Sequence, residues 1–358
     1  MLRIAAGLLA VLSLGCPPAA DAQTATPPKV DADGTVYGDV GPVPISGFLS
    51  PQARDQLTLM LQGAGAMPSD GGIDEVRARS DERSREVLAR WRDVAAVEIK
   101  PEILNGVPVH VVTPATTIPA ANADRVLINA HGGGFFVGAA YGGQIEAVPM
   151  ADAGKVKVIA VDYRMAPEHV YPAASEDMEA VYRHVLKTTS PEKVGFYGCS
   201  AGGALVGQMI PWLRSKNLPL PGAIGVFCSG LMPSFWYGGD AAAVSGLLNA
   251  RTPMRSAPTP RWRPYFDGID VNDPMITPAL FPETLAAYPP TLTVTGTRDV
   301  AMSNALMTHT RLLSAGVVAE LFVQEGLGHG HFNLMPGTPE AATAHQIMWR
   351  FFDRHLAR

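Results

Sequence analysis

Short, nearly continuous apolar runs alternate along most of the chain with longer stretches in which apolar residues recur every third or fourth position. The runs Arg125 to Ala130, Val156 to Asp162, Val194 to Cys199, Ile224 to Cys228, Thr291 to Gly296 and Val318 to Gln324 have the length and branched content of strands. Segments such as Val-Leu-Ile-Asn-Ala lack the polar alternation of a one-sided strand, so both of their faces should be covered. Helical spacing is expected near Ala173 to Lys187, Gly202 to Lys216, Ser303 to Ala315 and Pro339 to His355. This alternation predicts an α/β fold built on a doubly wound, mostly parallel sheet.

The first hundred residues follow a different pattern. Residues 23 to 45 carry Pro, Gly, Thr and Asp without apolar periodicity and read as a lead-in. Ser50 to Gln62 and Ile73 to Val94 are expected to be helical, the second with Asp74 as candidate N-cap and its many charges on a solvated face. Ala95 to Lys100 and Val107 to Thr113, separated by Asn105-Gly106, read as a hairpin. Residues 229–290 then place about sixty residues between two strands, far more than a crossover requires. Nine prolines fall between Pro253 and Pro290, while Phe235, Trp236, Tyr237, Trp262, Tyr265 and Phe266 supply aromatic area. We expect a cap over the ligand-binding edge of the sheet, although any one ring is as well explained as a staple between insertion and core. The organisation expected is a leader over 1–22, lead-in and cap helices over 23–93, and an α/β domain over 94–358 with its insertion at 229–290.

Composition narrows the functional classes. With 358 residues, 47% apolar and 17% charged, the chain is globular and long enough for one large domain with a cap. Its net charge of −5 and the lack of a basic cluster argue against a nucleic-acid partner. Arg3, the apolar run Ile4 to Leu14 and Ala20-Asp21-Ala22 form the parts of a secretory signal peptide, and cleavage would start the mature chain at Gln23. The run is too short to span a bilayer, so no stable membrane insertion is expected after cleavage, and export to the periplasm or medium follows. Cys16 leaves lipidation as a lesser alternative. Cys199 and Cys228 remain, enough for at most one bridge and equally readable as two buried thiols.

Four segments carry chemistry. Gly198-Cys199-Ser200-Ala201-Gly202 stands between an expected strand and an expected helix, where small neighbours let a tight turn present a hydroxyl. Alone the pattern is weak, since chance supplies on the order of 0.1 to 0.3 matches in so glycine-rich a chain. His131-Gly132-Gly133-Gly134 follows another expected strand, and unobstructed glycine N–H groups suit an oxygen that gains charge; a flexible turn is the bland alternative. A phosphate loop is disfavoured because no Gly-Lys-Ser/Thr ending follows. Asp299 and His329 lie downstream, each just after an expected strand, at spacings of 99 and 30 residues. Ser, acid, His is the order in which successive strand ends of this architecture bring a nucleophile, an orienting carboxylate and a general base together. His331 competes with His329, but glycines flank His329 and leave its loop room to aim the ring, whereas His331-Phe332 reads as packing.

Taken together, His131-Gly-Gly-Gly-Phe, the Asp-Tyr-Arg-Met-Ala-Pro-Glu-His stretch from Asp162 to His169, Gly198 to Gly203, Asp273 to Pro278, Tyr288 to Leu292 and Gly328-His-Gly330 resemble the hormone-sensitive-lipase-type branch of the α/β-hydrolases, the bacterial carboxylesterases. The resemblance covers about Val94 to Arg358. It implies an eight-stranded sheet with helices on both faces and a cap, and hydrolysis without metal or organic cofactor. By position it also implies Ser200 as nucleophile, Asp299 and His329 as its partners, and the N–H groups of Gly133, Gly134 and Ala201 as the oxyanion hole. His131 and the Asp162 to His169 stretch look like scaffold. Two positions depart from the family's pattern. Cys199 stands where an acid usually precedes the nucleophile, and Asp299-Val-Ala-Met-Ser-Asn304 is more similar to a branch with lactone and small acetyl-ester hydrolases. Cys199 as a rival nucleophile is disfavoured because its position should turn the thiol into the fold.

The function expected is a secreted serine hydrolase cleaving esters of small apolar acids or alcohols. A lactone hydrolase with the same triad and a non-catalytic ligand-binding homologue are the alternatives. The partner is a small-molecule ester or lactone, and oligomeric state is not legible.

Overall fold

The computed structural model describes residues 29–30, 36–37, 43–62, 72–232, 239–248, 264–270 and 272–357. The leader over 1–22 and the rings of Phe235, Trp236, Tyr237 and Trp262 lie outside the described residues. Two units result, Met1–Pro44 and Ile45–Arg358. Within the first, Lys29–Val30 and Val36–Tyr37 pair antiparallel.

Eight strands of the second unit form one sheet: β1 (Val97–Leu104), β2 (Val107–Pro114), β3 (Val126–Ala130), β4 (Lys157–Val161), β5 (Val194–Cys199), β6 (Ala223–Phe227), β7 (Thr291–Arg298) and β8 (Ala319–Gly328). Their order is β1-β2-β4-β3-β5-β6-β7-β8. β1 and β2 form the expected hairpin, turning through Asn105 and Gly106 at φ 48° and 88°, and β2 meets β4 antiparallel. The other neighbours are parallel. In β3 every residue is buried because adjacent side chains enter different cores. Ile128 joins Met178, Tyr182, Leu205 and Met209 from α4 (Ala173–Val185) and α5 (Ala201–Ser215). Leu127 joins Leu88, Trp91, Val148 and Phe352 from α2 (Ile73–Arg92), α3 (Tyr141–Gly154) and α8 (Pro339–His355). Helices thus cover both faces, as unalternating strands require.

The pattern of the chain did not reveal α3. It contains Gly142, Gly143 and Pro149, and eleven of its fourteen residues are buried. A helix enclosed on nearly all sides has no solvent face, so the periodicity that betrays a surface helix is missing. The start of α2 also needs correction: its N-cap is Gly72, with no side-chain cap, and Asp74 lies in the first turn beside Glu75. There its charge faces the positive end of the helix instead of capping an N–H.

α1 (Pro51–Gln62) lays Ala53 and Leu57 against Leu327 and Met335, next to the end of β8. In the insertion, α6 (Gly239–Leu248) donates Ala241 N–H to Ser303 Oγ of α7 (Met302–Ser314) at 3.0 Å. Tyr265 stacks on Phe135 with centroids 4.5 Å apart, and its hydroxyl accepts from Ala174 N at 2.8 Å. At 3% exposure this ring is a staple, the plainer of its two readings. No helix among the described residues is long and apolar enough to cross a membrane.

Candidate active site

The turn from β5 into α5 holds Ser200 at φ 63° and ψ −125°, a left-handed conformation that costs a non-glycine residue roughly 1–3 kcal/mol. Two backbone bonds hold it there. Ser200 N donates to Phe227 O at 2.8 Å, and Ser200 O accepts from Ala204 N at 3.1 Å. Gly202 is required for space, since a Cβ there would lie 1.8 Å from Ala130 O. The helix therefore starts directly against the end of β3, and the serine stands at the strand ends.

Asp299 and His329 leave the ends of β7 and β8. His329 Nδ1 donates to Asp299 Oδ1 at 2.7 Å. Ala301 N donates to the same oxygen at 2.9 Å, and Thr295 Oγ1 donates to Oδ2 at 2.9 Å. Burial works to raise this carboxyl, but the imidazole and the three hydrogen bonds outweigh it and hold Asp299 below the usual aspartate range. The histidine loop lies close to the serine turn: a Cβ added at Gly330 would stand 3.4 Å from Cys199 Sγ. Gly330 and Cys199 directly adjoin His329 and Ser200 in the chain.

Gly133 and Gly134 adopt φ 116° and 64°. Gly133 O accepts from Phe136 N and Val137 N, both at 3.1 Å, in a turn so tight that a Cβ on Gly133 would meet Val137 O at 2.1 Å. Ala201 is the first residue of α5, where N–H groups have no intrahelical acceptor. Among the described residues no backbone carbonyl accepts from the N–H of Gly133, Gly134 or Ala201. A Cβ on Gly132 would lie 3.2 Å from Ser200 Cβ, so the glycine loop runs directly beside the serine. Ser200, Gly132 to Gly134, Ala201 and the Asp299–His329 pair occupy neighbouring strand ends.

The residues read as scaffold behave as such. His131 is fully buried, stacks on Tyr163 at 4.2 Å and donates from Nδ1 to Gly132 O at 2.7 Å. Burial depresses its pKa and keeps it neutral. Tyr163 Oη donates to His131 O at 2.7 Å. From α2, Arg77 donates to Phe136 O, Ala166 O and both Glu168 oxygens, at 2.7–2.9 Å. His331 is buried and its Nδ1 accepts from Gly328 N at 3.0 Å, which turns the ring back into its own loop. Cys199 and Cys228 are buried thiols without a disulfide, and burial pushes both upward, so neither supplies a thiolate.

One group at the site was not read from the sequence. Glu146 of α3 is fully buried beneath the glycine loop and the serine turn. Its Oε1 accepts from Gly132 N at 2.8 Å, and its Oε2 accepts from Cys199 N at 3.2 Å and Asn129 Nδ2 at 3.0 Å. Burial raises it to about 7 against these three donors. Its signal was a lone carboxylate within the apolar stretch Tyr141 to Ala151, in a helix that went unrecognised. Among the described residues no three His, Cys, Asp or Glu side chains gather as metal ligands.

A model of a family described as alpha/beta hydrolase fold matches residues 127–333, more than half of the chain. The putative acetyl-hydrolase LipR of Mycobacterium tuberculosis is 36% identical over 124 residues, which cover 34% of this chain and 39% of LipR. An acetyl-hydrolase of Streptomyces hygroscopicus is 28% identical over 241 residues, 65% of this chain and 77% of that protein. Among solved structures, an esterase from the bacterial hormone-sensitive lipase family superposes with a TM-score of 0.71 at 25% identity, covering 86% of this chain and 98% of the other.

Proposed function

The chain belongs to the alpha/beta hydrolase fold family, in its hormone-sensitive-lipase-type branch, and is a carboxylic ester hydrolase; from that premise we propose that it works through an acyl-enzyme on Ser200. Ser200 Oγ attacks the ester carbonyl carbon while His329 Nε2 takes the hydroxyl proton. The carbonyl oxygen becomes an oxyanion and is met by the N–H groups of Gly133, Gly134 and Ala201. On collapse the C–O bond to the alcohol breaks and the alcohol leaves with the proton from His329. Water then attacks the acyl-serine, His329 again takes and returns the proton, and the acid departs. Asp299 holds Nδ1–H throughout and stabilises the imidazolium without itself taking the proton.

The observation that carries this reading is the 2.7 Å bond from His329 to a buried carboxylate already ordered by two further donors, in a loop close to the serine turn. That arrangement selects one tautomer and leaves Nε2 as the basic atom. The substrates proposed are esters of small apolar acids or alcohols, in keeping with the acetyl-hydrolase relatives. Export after removal of residues 1–22 belongs to the same proposal and is checked by N-terminal sequencing of secreted material, which should begin at Gln23.

Ser200→Ala tests the mechanism. Turnover of p-nitrophenyl acetate should fall by about 10³-fold or more, and covalent labelling by a fluorophosphonate should vanish. Near-normal turnover in the variant would refute the acyl-enzyme, and failure of the unmodified chain to label would point to a binding protein. A series of acyl lengths and lactones then ranks substrates.

A further inference from the structure

Glu146 takes no part in the proton transfers above, yet it lies where both reacting loops are anchored. We propose that Glu146 is a positioning residue for ester hydrolysis: its carboxylate clamps the glycine loop to the serine turn, fixing the oxyanion donors relative to Ser200. This rests on the acyl-enzyme reading.

The geometry is that of a two-sided clamp. Oε1 takes the N–H of Gly132, the residue just before the oxyanion donors Gly133 and Gly134. Oε2 takes the N–H of Cys199, the residue just before Ser200. The two loops approach so closely that a Cβ on Gly132 would stand 3.0 Å from Cys199 O and 3.2 Å from Ser200 Cβ. An oxyanion hole acts through donors already in place when charge develops, so a shift between these loops acts on the transition state more than on the bound ester. The residue before Ser200 is Cys199, whose side chain carries no charge. The carboxylate comes from α3 and reaches the turn through the cysteine's backbone N–H.

Only an acceptor on both oxygens serves both loops. Protonation leaves one oxygen as a hydroxyl that accepts more weakly, and replacement by an amide turns that position into a donor facing an N–H. Asn129 can accommodate that change, because its buried Oδ1 has no hydrogen-bond partner and a turned amide would present it as an acceptor. The neutral form therefore satisfies Asn129 but holds the Cys199 side only through an uncharged hydroxyl oxygen, whereas the ionised form holds both loops with charge-assisted bonds at the cost of a buried charge. That is a group kept for function against stability. The titratable groups facing it are the His329 imidazole, the thiols of Cys199 and Cys228 and the phenols of Tyr163 and Tyr197. The thiols and phenols are pushed up by burial and stay neutral. Of the helices packed on α3, α2 turns Arg85 over the Tyr141 ring and α8 buries His345, whose pKa burial lowers to about 4.

The test is Glu146→Gln in the full chain, with p-nitrophenyl acetate turnover from pH 5 to 9 and thermal unfolding at the same pH values. Expected are a kcat lower by about tenfold or more with KM within about twofold, and an acid limb of kcat that loses one of its two protonations. The Tm above pH 8 should equal or exceed that of the unmodified chain, because a buried charge has been removed. A kcat within about twofold of normal overturns the proposal, as does a loss of kcat accompanied by a lowered Tm, which marks a merely structural role. If the variant does not fold, infrared spectra of the unmodified chain decide. A protonated-carboxyl band rising with the same midpoint as one step in the fall of kcat supports the clamp, and a band with no matching kinetic step overturns it. If the unmodified chain neither turns over nor labels with a fluorophosphonate, the acyl-enzyme reading itself fails and the clamp goes with it; full labelling together with an unaffected Glu146→Gln variant rejects the clamp alone.

Discussion

Two buried carboxylates border the candidate site, and each accepts three hydrogen bonds. Asp299 takes His329 Nδ1–H, Ala301 N–H and the Thr295 hydroxyl; Glu146 takes Gly132 N–H, Cys199 N–H and the Asn129 amide. Yet Asp299 is held below the ordinary range while Glu146 is raised to about 7. Burial opposes ionisation in both. The difference is that the imidazole is bonded directly to Asp299 and acts on it both by charge and by hydrogen bond, whereas on Glu146 the same imidazole acts only from a distance and more weakly than the three neutral donors. Equal numbers of hydrogen bonds therefore do not mean equal protonation. One carboxylate serves as a permanent counter-charge, and the other is poised to change state near neutrality.

The comparison is broken most strongly at Asp299. Asp299→Asn keeps the shape but lets the ring present the wrong tautomer to Ser200, so kcat for p-nitrophenyl acetate should drop by roughly 10³- to 10⁴-fold. A loss of less than about tenfold would remove Asp299 from the proposed triad.

Stability against pH sharpens it next. The folded pKa of Glu146 is raised, so folding binds its proton more tightly than the unfolded chain does. Its contribution is full below 4.5 and is lost as pH rises through about 7, a change of about 3 kcal/mol. Asp299 has the opposite sign: its contribution is present above 3.8 and is lost as pH falls through its depressed folded value. Chemical unfolding of the unmodified chain and of Glu146→Gln at pH 5 and pH 8 should give a difference that shifts in favour of the variant at pH 8. The same difference at both pH values would show that Glu146 keeps one protonation state throughout.

The smallest effect is expected at Arg77, which grips the same glycine loop from outside through Phe136 O. Its side chain is 25% exposed, so water replaces much of what is lost. Arg77→Ala should lower kcat by about threefold to tenfold and Tm by a few degrees. An effect as large as that of Asp299→Asn would mean that the loop depends on its outer strap more than on the buried carboxylate.

Legibility in the sequence divides along similar lines. The six strand runs and four later helices could be placed because each carries a long, mostly apolar run or an apolar stripe opposite polar residues. Ser200, His131 to Gly134 and His329 could be singled out as candidates because tight turns after strands need glycines, and those glycines adjoin them; Asp299 could be singled out only from its place after a strand and between the other two. α3 and Glu146 could not. A helix wrapped by α2, α8 and the sheet shows no apolar stripe, and a lone glutamate within it looks like a stray surface residue until its neighbours are known. Asp74 misled for a related reason: an acid in a first helical turn favours the same dipole whether or not it caps an N–H.

The succession of strands along the chain and the residue types at their ends were determined by the sequence alone, since period and glycine placement are local properties. Tertiary structure decided which donors each buried carboxylate receives, and therefore which of them is ionised. That outcome depends on the dielectric and on partners supplied by distant segments, Asn129, Gly132 and Cys199 for one, Thr295, Ala301 and His329 for the other. Such long-range electrostatics have no signature in the linear spacing of residues.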